Sequence, residues 1–195
     1  MITLLVTGFG PFPGAPKNPS AKIVEALDER RLARLGIRLE KAILPVVFSY
    51  ADELLDVLIA QYRPDGILHL GLAARRRIVS VEMRAHNRHS IFHRDAAGKL
   101  PSVRAIVAGA EEMRRSRLPV ARIRYALTQR GAKAESSIDA GRYACNQVLY
   151  LTLGTEIRAA GFVHVPRPRP SLSLATMIAS VEAALIEMAK DLRAQ

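Results

Sequence analysis

Three side chains in this sequence have the chemistry of a nucleophilic hydrolase: Cys145, His164 and Glu82. A cysteine attacks a carbonyl as the thiolate, so it needs an imidazole that accepts its proton and later returns that proton to the leaving group. The imidazole in turn needs an acceptor for its second nitrogen, which a carboxylate can supply. These residue types therefore permit a Cys-His-Glu triad.

The surroundings of Cys145 leave two interpretations open. Residues 139–141 read Asp-Ala-Gly, which predicts the start of a helix just before Cys145. The positive end of a helix favours thiolate over thiol, and the backbone N–H of Cys145 would be a natural donor to an oxyanion. The alternative is a small buried hydrophobic residue, which is the usual role of a lone cysteine.

His164 and Glu82 carry the same ambiguity. His164 interrupts the apolar run 161–165, just before Pro166, so it is either a positioned base or a hydrogen-bonded core histidine. Glu82 lies in the alternating run 78–84, on the predicted face of Ser80 and Arg84. It either orients His164 or faces solvent beside Arg84.

Composition sets the broad class of the protein. The 195 residues are 49% hydrophobic, which is typical of a folded chain, and we predict a single domain over 1–195. A single cysteine excludes an internal disulfide and a thiolate-rich metal site, which favours a cytoplasmic location. The N-terminus lacks the cationic region of a signal peptide, and no apolar run is long enough to span a membrane.

Strand and helix patterns alternate along the chain, which predicts an α/β fold: a three-layer α/β/α domain with a mostly parallel central sheet. The predicted strands are 2–7, 37–44, 66–70, 78–84, 132–136 and 161–165. The predicted helices are 19–36, 49–62, 114–130, 139–153 and 172–193. Ligands of such sheets bind at the carboxyl ends of strands, here 8–12, 72–76 and from 166 onward.

Taken together, these residues resemble pyroglutamyl peptidase type I, also called pyrrolidone-carboxylate peptidase. The similar blocks occur in the same order over nearly the whole chain and include all three candidate residues. They are 7–12 (TGFGPF), 18–20 (NPS), 44–46 (LPV), 69–73 (HLGLA), 81–82 (VE) with Asn87, 139–146 (DAGRYACN) and 161–166 (GFVHVP).

The resemblance implies a cytosolic cysteine peptidase that removes an N-terminal pyroglutamyl residue from peptides without a metal or cofactor. It assigns the nucleophile to Cys145, the base to His164 and the acid to Glu82. It also implies a homodimer or homotetramer. The implied substrate-binding residues are Phe9 and Phe12, which would clamp the lactam ring, and Arg76 in the loop beside the site.

Three segments depart from the family pattern: 13–16, 74–77 and 88–98. Residues 74–77 place three arginines where the family usually has small residues, and 88–95 read RHSIFHRD in place of a segment like DARIPDN. The alternative function is therefore a divergent member that keeps the fold and triad but acts on, or binds, another blocked N-terminus.

Two further patterns do not predict a function. The net charge of +11 and the arginines of 114–124 allow a nucleic-acid module, but only Tyr125 adjoins them, so no nucleic-acid partner is predicted. His86, His89 and His93 have a helical metal-ligand spacing, yet their neighbours are typical of a loop, so no metal site is predicted.

Overall fold

A computed structural model describes the backbone of residues 1–195 and every side chain except those of residues 51 and 52. The strands are β1 (Ile2–Phe9), β2 (Ile37–Leu44), β3 (Gly66–Leu72), β4 (Val79–Glu82), β5 (Arg84–His86), β6 (Met113–Arg115), β7 (Ala134–Ser137) and β8 (Ala159–Val165). The helices are α1 (Pro19–Ala26), α2 (Glu29–Ala33), α3 (Ala51–Tyr62), α4 (Val120–Gln129), α5 (Ala144–Leu153) and α6 (Leu174–Ala194).

Six of the strands form one sheet in the order β2-β1-β3-β8-β4-β7. Neighbours in it are parallel except for β4 and β8, which run antiparallel. The central strands β3 and β8 are buried along almost their whole length, as continuous apolar runs predict for a sheet covered on both faces. The predicted α/β fold with a mostly parallel sheet is confirmed.

Each face of the sheet has its own hydrophobic core, because side chains alternate along every strand. Leu4 and Val6 of β1 pack on one face with α1, α2, α4 and α6. Leu5 and Phe9 of the same strand pack on the other face, with α3 and α5. The second face is the one that carries the candidate site.

The single helix predicted over 19–36 is two helices in the structure. Leu27 has an extended backbone (ψ 135°) and ends α1, and Asp28 then caps α2 by accepting a hydrogen bond from the Arg31 backbone N–H at 3.0 Å. An aspartate in a helical pattern competes for backbone N–H groups, and here that competition starts a new helix.

Three other predicted elements are split or begin more than two residues later than predicted. The strand 78–84 is interrupted at Met83, which separates β4 from β5. Helix α4 begins at Val120 instead of 114, because Pro119 disfavours helical backbone in the residue before it. Helix α5 begins at Ala144 instead of 139, because Gly141 is in the left-handed region (φ +80°).

No helix within the described part of the chain is both long enough and apolar enough to cross a bilayer. The longest is α6, and polar side chains interrupt its apolar face.

A fully buried histidine links the central sheet to α5. Thr7 Oγ1 lies 2.7 Å from His69 Nδ1, and Thr152 Oγ1 lies 2.7 Å from His69 Nε2. Burial lowers the pKa of His69 from its ordinary value of 6.5 to about 3, so the imidazole is neutral in the folded protein.

This burial predicts an acid-sensitive fold. Below pH 6.5 the unfolded chain binds a proton at His69 that the folded chain refuses, so the free energy of unfolding falls by up to about 1.4 kcal/mol per pH unit until pH approaches 3. We expect His69→Gln to reduce this slope, measured by urea unfolding between pH 7 and pH 4.

His93→Gln, at an exposed histidine, is the matched control and should leave the slope unchanged. Equal slopes for wild type and His69→Gln would show that His69 accepts its proton without unfolding.

Candidate active site

Glu82 and His164 meet on the face of the sheet that α5 covers. In the antiparallel pair β4 and β8, Glu82 lies opposite Phe162 and Ser80 lies opposite His164, so Glu82 and His164 are diagonal neighbours. His164 Nδ1 lies 2.8 Å from Glu82 Oε1. Glu82 is fully buried and His164 is 5% exposed, so water competes little for this contact.

Cys145 approaches the same face from the first turn of α5, and a glycine makes room for it. Gly71 on β3 pairs in register with His164 on β8. A Cβ atom at Gly71 would lie 2.8 Å from Cys145 Sγ and 2.6 Å from Phe162 Cζ, both closer than real Cβ contacts. The thiol therefore occupies the space of the absent Gly71 side chain, on the strand adjacent to His164.

Arg76 binds the buried carboxylate from the other side. Its Nη1 donates to Glu82 Oε1 at 2.6 Å, and its Nη2 donates to the backbone oxygen of Asp139 at 2.7 Å. A buried carboxylate is stable only when it is paired, and Arg76 supplies the positive charge. The residue that sequence analysis placed among the substrate contacts is thus engaged with Glu82 and with the segment that leads to Cys145.

The thiol of Cys145 is neutral in the resting site. Burial, and to a lesser degree the negative charge of Glu82, raise its pKa to about 12, against the opposing effects of its own backbone N–H and of Arg76. The helix start alone was expected to favour the thiolate. In the structure burial outweighs it, so Cys145 would need a base to act as a nucleophile.

The start of α5 supplies donors that an oxyanion could use. The preceding residue, Tyr143, is in extended backbone and makes no capping hydrogen bond with its side chain. The first N–H groups of a helix have no acceptor inside the helix, and the N–H of Cys145 is among them. It lies beside the thiol, as the sequence predicts for an oxyanion donor.

The two phenylalanines expected to clamp a ring occupy different places. Phe9 is 2% exposed and packs in the core, with its ring centroid 6.3 Å from that of Phe162. Phe12 is half-buried, and its ring centroid lies 6.4 Å from that of Tyr143. Phe12 and Tyr143 together therefore offer a partly accessible aromatic surface, and both pack against the hydrophobic cluster that contains Phe9.

The loop that follows β5 is tied to the residues around Cys145. Asn146 accepts a hydrogen bond from the backbone N–H of His86 at 2.9 Å and donates to the backbone oxygens of His86 and Arg88. Tyr143 Oη donates to the backbone oxygen of Arg94 at 2.8 Å. Sequence analysis missed the roles of Tyr143 and Asn146, although both belong to the block that carries Cys145.

The histidines with helical spacing do not form a metal site. His86 lies on β5 and the other two lie in the following loop, so the helix that their spacing requires is absent. Leaving aside the side chains of 51 and 52, no group of three or more His, Cys, Asp or Glu side chains is close enough to hold a metal ion.

Comparisons with known sequences all point to one family. Residues 2–191 match the profile of the family described as pyroglutamyl peptidase. The chain is 38% identical over 173 residues to the pyrrolidone-carboxylate peptidase of Pyrococcus furiosus, covering 84% of this chain and 80% of that protein. It is 34% identical over 200 aligned positions to pyrrolidone-carboxylate peptidase 1 of Ralstonia nicotianae, covering 95% and 92%.

Comparison with solved structures points to the same family. A variant of the pyrrolidone carboxyl peptidase of Pyrococcus furiosus superposes with a TM-score of 0.91 at 32% identity, covering 98% of this chain and all of that one. Pyroglutamyl peptidase I of Bacillus amyloliquefaciens superposes with a TM-score of 0.90 at 27% identity, covering 97% and 98%.

The electrostatics of Cys145 predict its reactivity. With a thiol pKa near 12, the thiolate fraction rises about tenfold per pH unit, so alkylation by iodoacetamide should accelerate from pH 7 to pH 10 without a plateau. Glu82→Gln removes a charge that raises this pKa, so it should speed alkylation at each pH.

Glu135→Gln, which removes a carboxylate on the adjacent strand β7, is the control and should alkylate like the wild type. A wild-type rate that is already constant above pH 7 would contradict a neutral resting thiol.

Proposed function

Because the chain belongs to the pyroglutamyl peptidase family, we propose that it is a cysteine peptidase that releases the N-terminal pyroglutamyl residue of peptides. The observation that carries the proposal is the pairing of His164 with Glu82 at 2.8 Å, beside the strand against which the Cys145 thiol packs. This arrangement supplies a nucleophile, a base and an orienting acid on one face of three adjacent strands.

The reaction begins with activation of the neutral thiol. Glu82 accepts a hydrogen bond from His164 Nδ1, which leaves Nε2 as the free base. His164 Nε2 takes the proton of Cys145 as the sulfur attacks the carbonyl carbon of the pyroglutamyl residue. The imidazolium that forms is stabilised by Glu82, and Arg76 holds that carboxylate in place with a hydrogen bond.

The tetrahedral intermediate then collapses to an acyl-enzyme. Its oxyanion accepts a hydrogen bond from the backbone N–H of Cys145. His164 returns its proton to the nitrogen of the leaving peptide as the C–N bond breaks, which leaves the pyroglutamyl group as a thioester on Cys145. Water, deprotonated by His164, hydrolyses the thioester and regenerates the thiol. The scheme uses protein groups and water alone.

We assign recognition of the pyroglutamyl lactam ring to aromatic side chains beside the site. Pyroglutamate is a small neutral lactam, whereas an unblocked N-terminal glutamate carries two charges that are costly to remove from water. Phe12 and Tyr143 form the wall of the ring site, and Phe9 fixes its floor through Phe162. The proposal extends to one peptidase domain over 1–195 that works in the cytoplasm as a homodimer or homotetramer.

The direct test is hydrolysis of a fluorogenic pyroglutamyl amide under reducing conditions. We expect cleavage by the wild type, loss of at least about a thousandfold in kcat for Cys145→Ser, and no cleavage of an unblocked glutamyl amide. Cleavage of a different blocked amide, with the pyroglutamyl amide untouched, would instead establish the divergent alternative. Full activity of Cys145→Ser would refute the assigned nucleophile.

Substitution of the aromatic wall should separate binding from chemistry. Phe12→Ala removes apolar contact with the lactam that is made equally in the ground and transition states, so KM should rise by about tenfold while kcat stays near the wild-type value. Steady-state kinetics with the pyroglutamyl amide measure both constants.

Tyr125→Ala, at an exposed aromatic on α4, is the matched control and should change neither constant. A fall in kcat with unchanged KM would place Phe12 in the chemical step and not in ring binding.

A further inference from the structure

A cavity of about 580 Å³ opens beside the site, and its walls are attached to the residues on both sides of Cys145. Asp139 and Arg142 line it. His86 and Arg88 line it too, and the side chain of Asn146 bonds to the backbone of both. The cavity therefore adjoins the segment that carries Cys145 and is separate from the aromatic wall of Phe12 and Tyr143, neither of which lines it.

The position of the cavity matches the path of the leaving peptide. His164 Nδ1 is paired with Glu82, so His164 protonates the leaving nitrogen through Nε2, and the leaving peptide lies beside Nε2 and the Cys145 thiol. The chain on either side of Cys145 also adjoins the cavity: Arg142 lines it three residues before the nucleophile, and Asn146, which follows Cys145, donates to the backbone oxygen of Arg88. Residues after a scissile bond held at Cys145 therefore come within reach of the long side chains of Arg88 and Arg142.

The lining of this cavity has a net positive charge. Arg84, Arg88 and Arg142 line it, and Arg88 and Arg142 also line a smaller adjoining cavity with Arg104. Among the side chains that the structure describes, none of these four guanidinium groups forms an ion pair. The acidic residues of the lining are Asp139 and Glu112, fewer than the arginines.

We infer that this cavity selects pyroglutamyl peptides that carry a carboxylate within the first residues after the scissile bond. The inference rests on the proposed function and adds a substrate class to it. Two sources share this chemistry: an aspartate or glutamate side chain, and the free C-terminal carboxylate of a short peptide. Arg88 and Arg142 are exposed and unpaired, so they are the groups that bind it.

The test uses four substrates: pyroglutamyl-Glu and pyroglutamyl-Gln, each with a free C-terminal carboxylate or a C-terminal amide. We expect kcat/KM for a substrate with one carboxylate to exceed that for the neutral pyroglutamyl-Gln amide by about three- to tenfold, mostly through KM. The advantage should shrink between about 50 mM and about 500 mM salt, because exposed charges are screened. The two singly charged substrates distinguish a side-chain from a C-terminal carboxylate.

The double variant Arg88→Gln with Arg142→Gln should bring this ratio close to one. Arg124→Gln with Arg130→Gln, which removes the same charge from exposed positions on and just after α4, should keep the wild-type ratio. An equal rate for all four substrates in the wild type, or a ratio unchanged in the cavity variant, would overturn the inference while leaving the proposed function intact. No cleavage of any of the four would instead refute the proposed function.

Discussion

The buried carboxylate of Glu82 is the constraint on which the rest of the site depends. A fully buried charge must be paired, and here one oxygen accepts hydrogen bonds from both Arg76 and His164. The pairing fixes the orientation of the imidazole and connects it, through Arg76, to the chain segment that leads to Cys145. In the proposed mechanism this side chain thus positions the base and stabilises its charged form, and its negative charge also raises the pKa of the Cys145 thiol.

Small and neutral groups beneath the site allow these charged groups to meet. Gly71 lets the thiol of α5 lie directly on the sheet, which no larger residue would permit without displacing Cys145 or Phe162. Two residues before Gly71 on β3, the neutral imidazole of His69 lies between the hydroxyls of Thr7 and Thr152, and it thereby joins β1 to α5. These contacts therefore fix the position of α5 relative to β1 and β3, beneath the candidate site.

Much of the fold and of the arrangement of the candidate site could be predicted from sequence, because apolar runs and their alternation report burial directly. The apolar runs that became β1, β3 and β8 are continuous and that of β2 alternates, and the residue types of Cys145, His164 and Glu82 are those that acyl transfer needs. The features that could not be predicted from sequence depend on contacts between residues that are distant in sequence. The pairing of Arg76 with Glu82, the support of the loop by Asn146 and the burial of Phe9 all depend on which strands and loops become neighbours.

Element boundaries were harder to predict for a local reason. Asp28, Pro119 and Gly141 each interrupt an apolar periodicity that continues across them, so the periodicity overestimates helix length. The late start of α5 matters most, because it places Cys145 in the first helical turn, where the backbone N–H groups lack acceptors within the helix.

The central claim is that Cys145 forms a covalent pyroglutamyl thioester, and acid-quenched mass spectrometry tests it most directly. A pyroglutamyl ester with a good leaving group should acylate faster than the thioester is hydrolysed, so the intermediate accumulates. The account predicts a mass increase of one pyroglutamyl group on the fragment that contains Cys145, absent in Cys145→Ser. Hydrolysis of the ester that proceeds equally in Cys145→Ser, or an adduct on another residue, would contradict it.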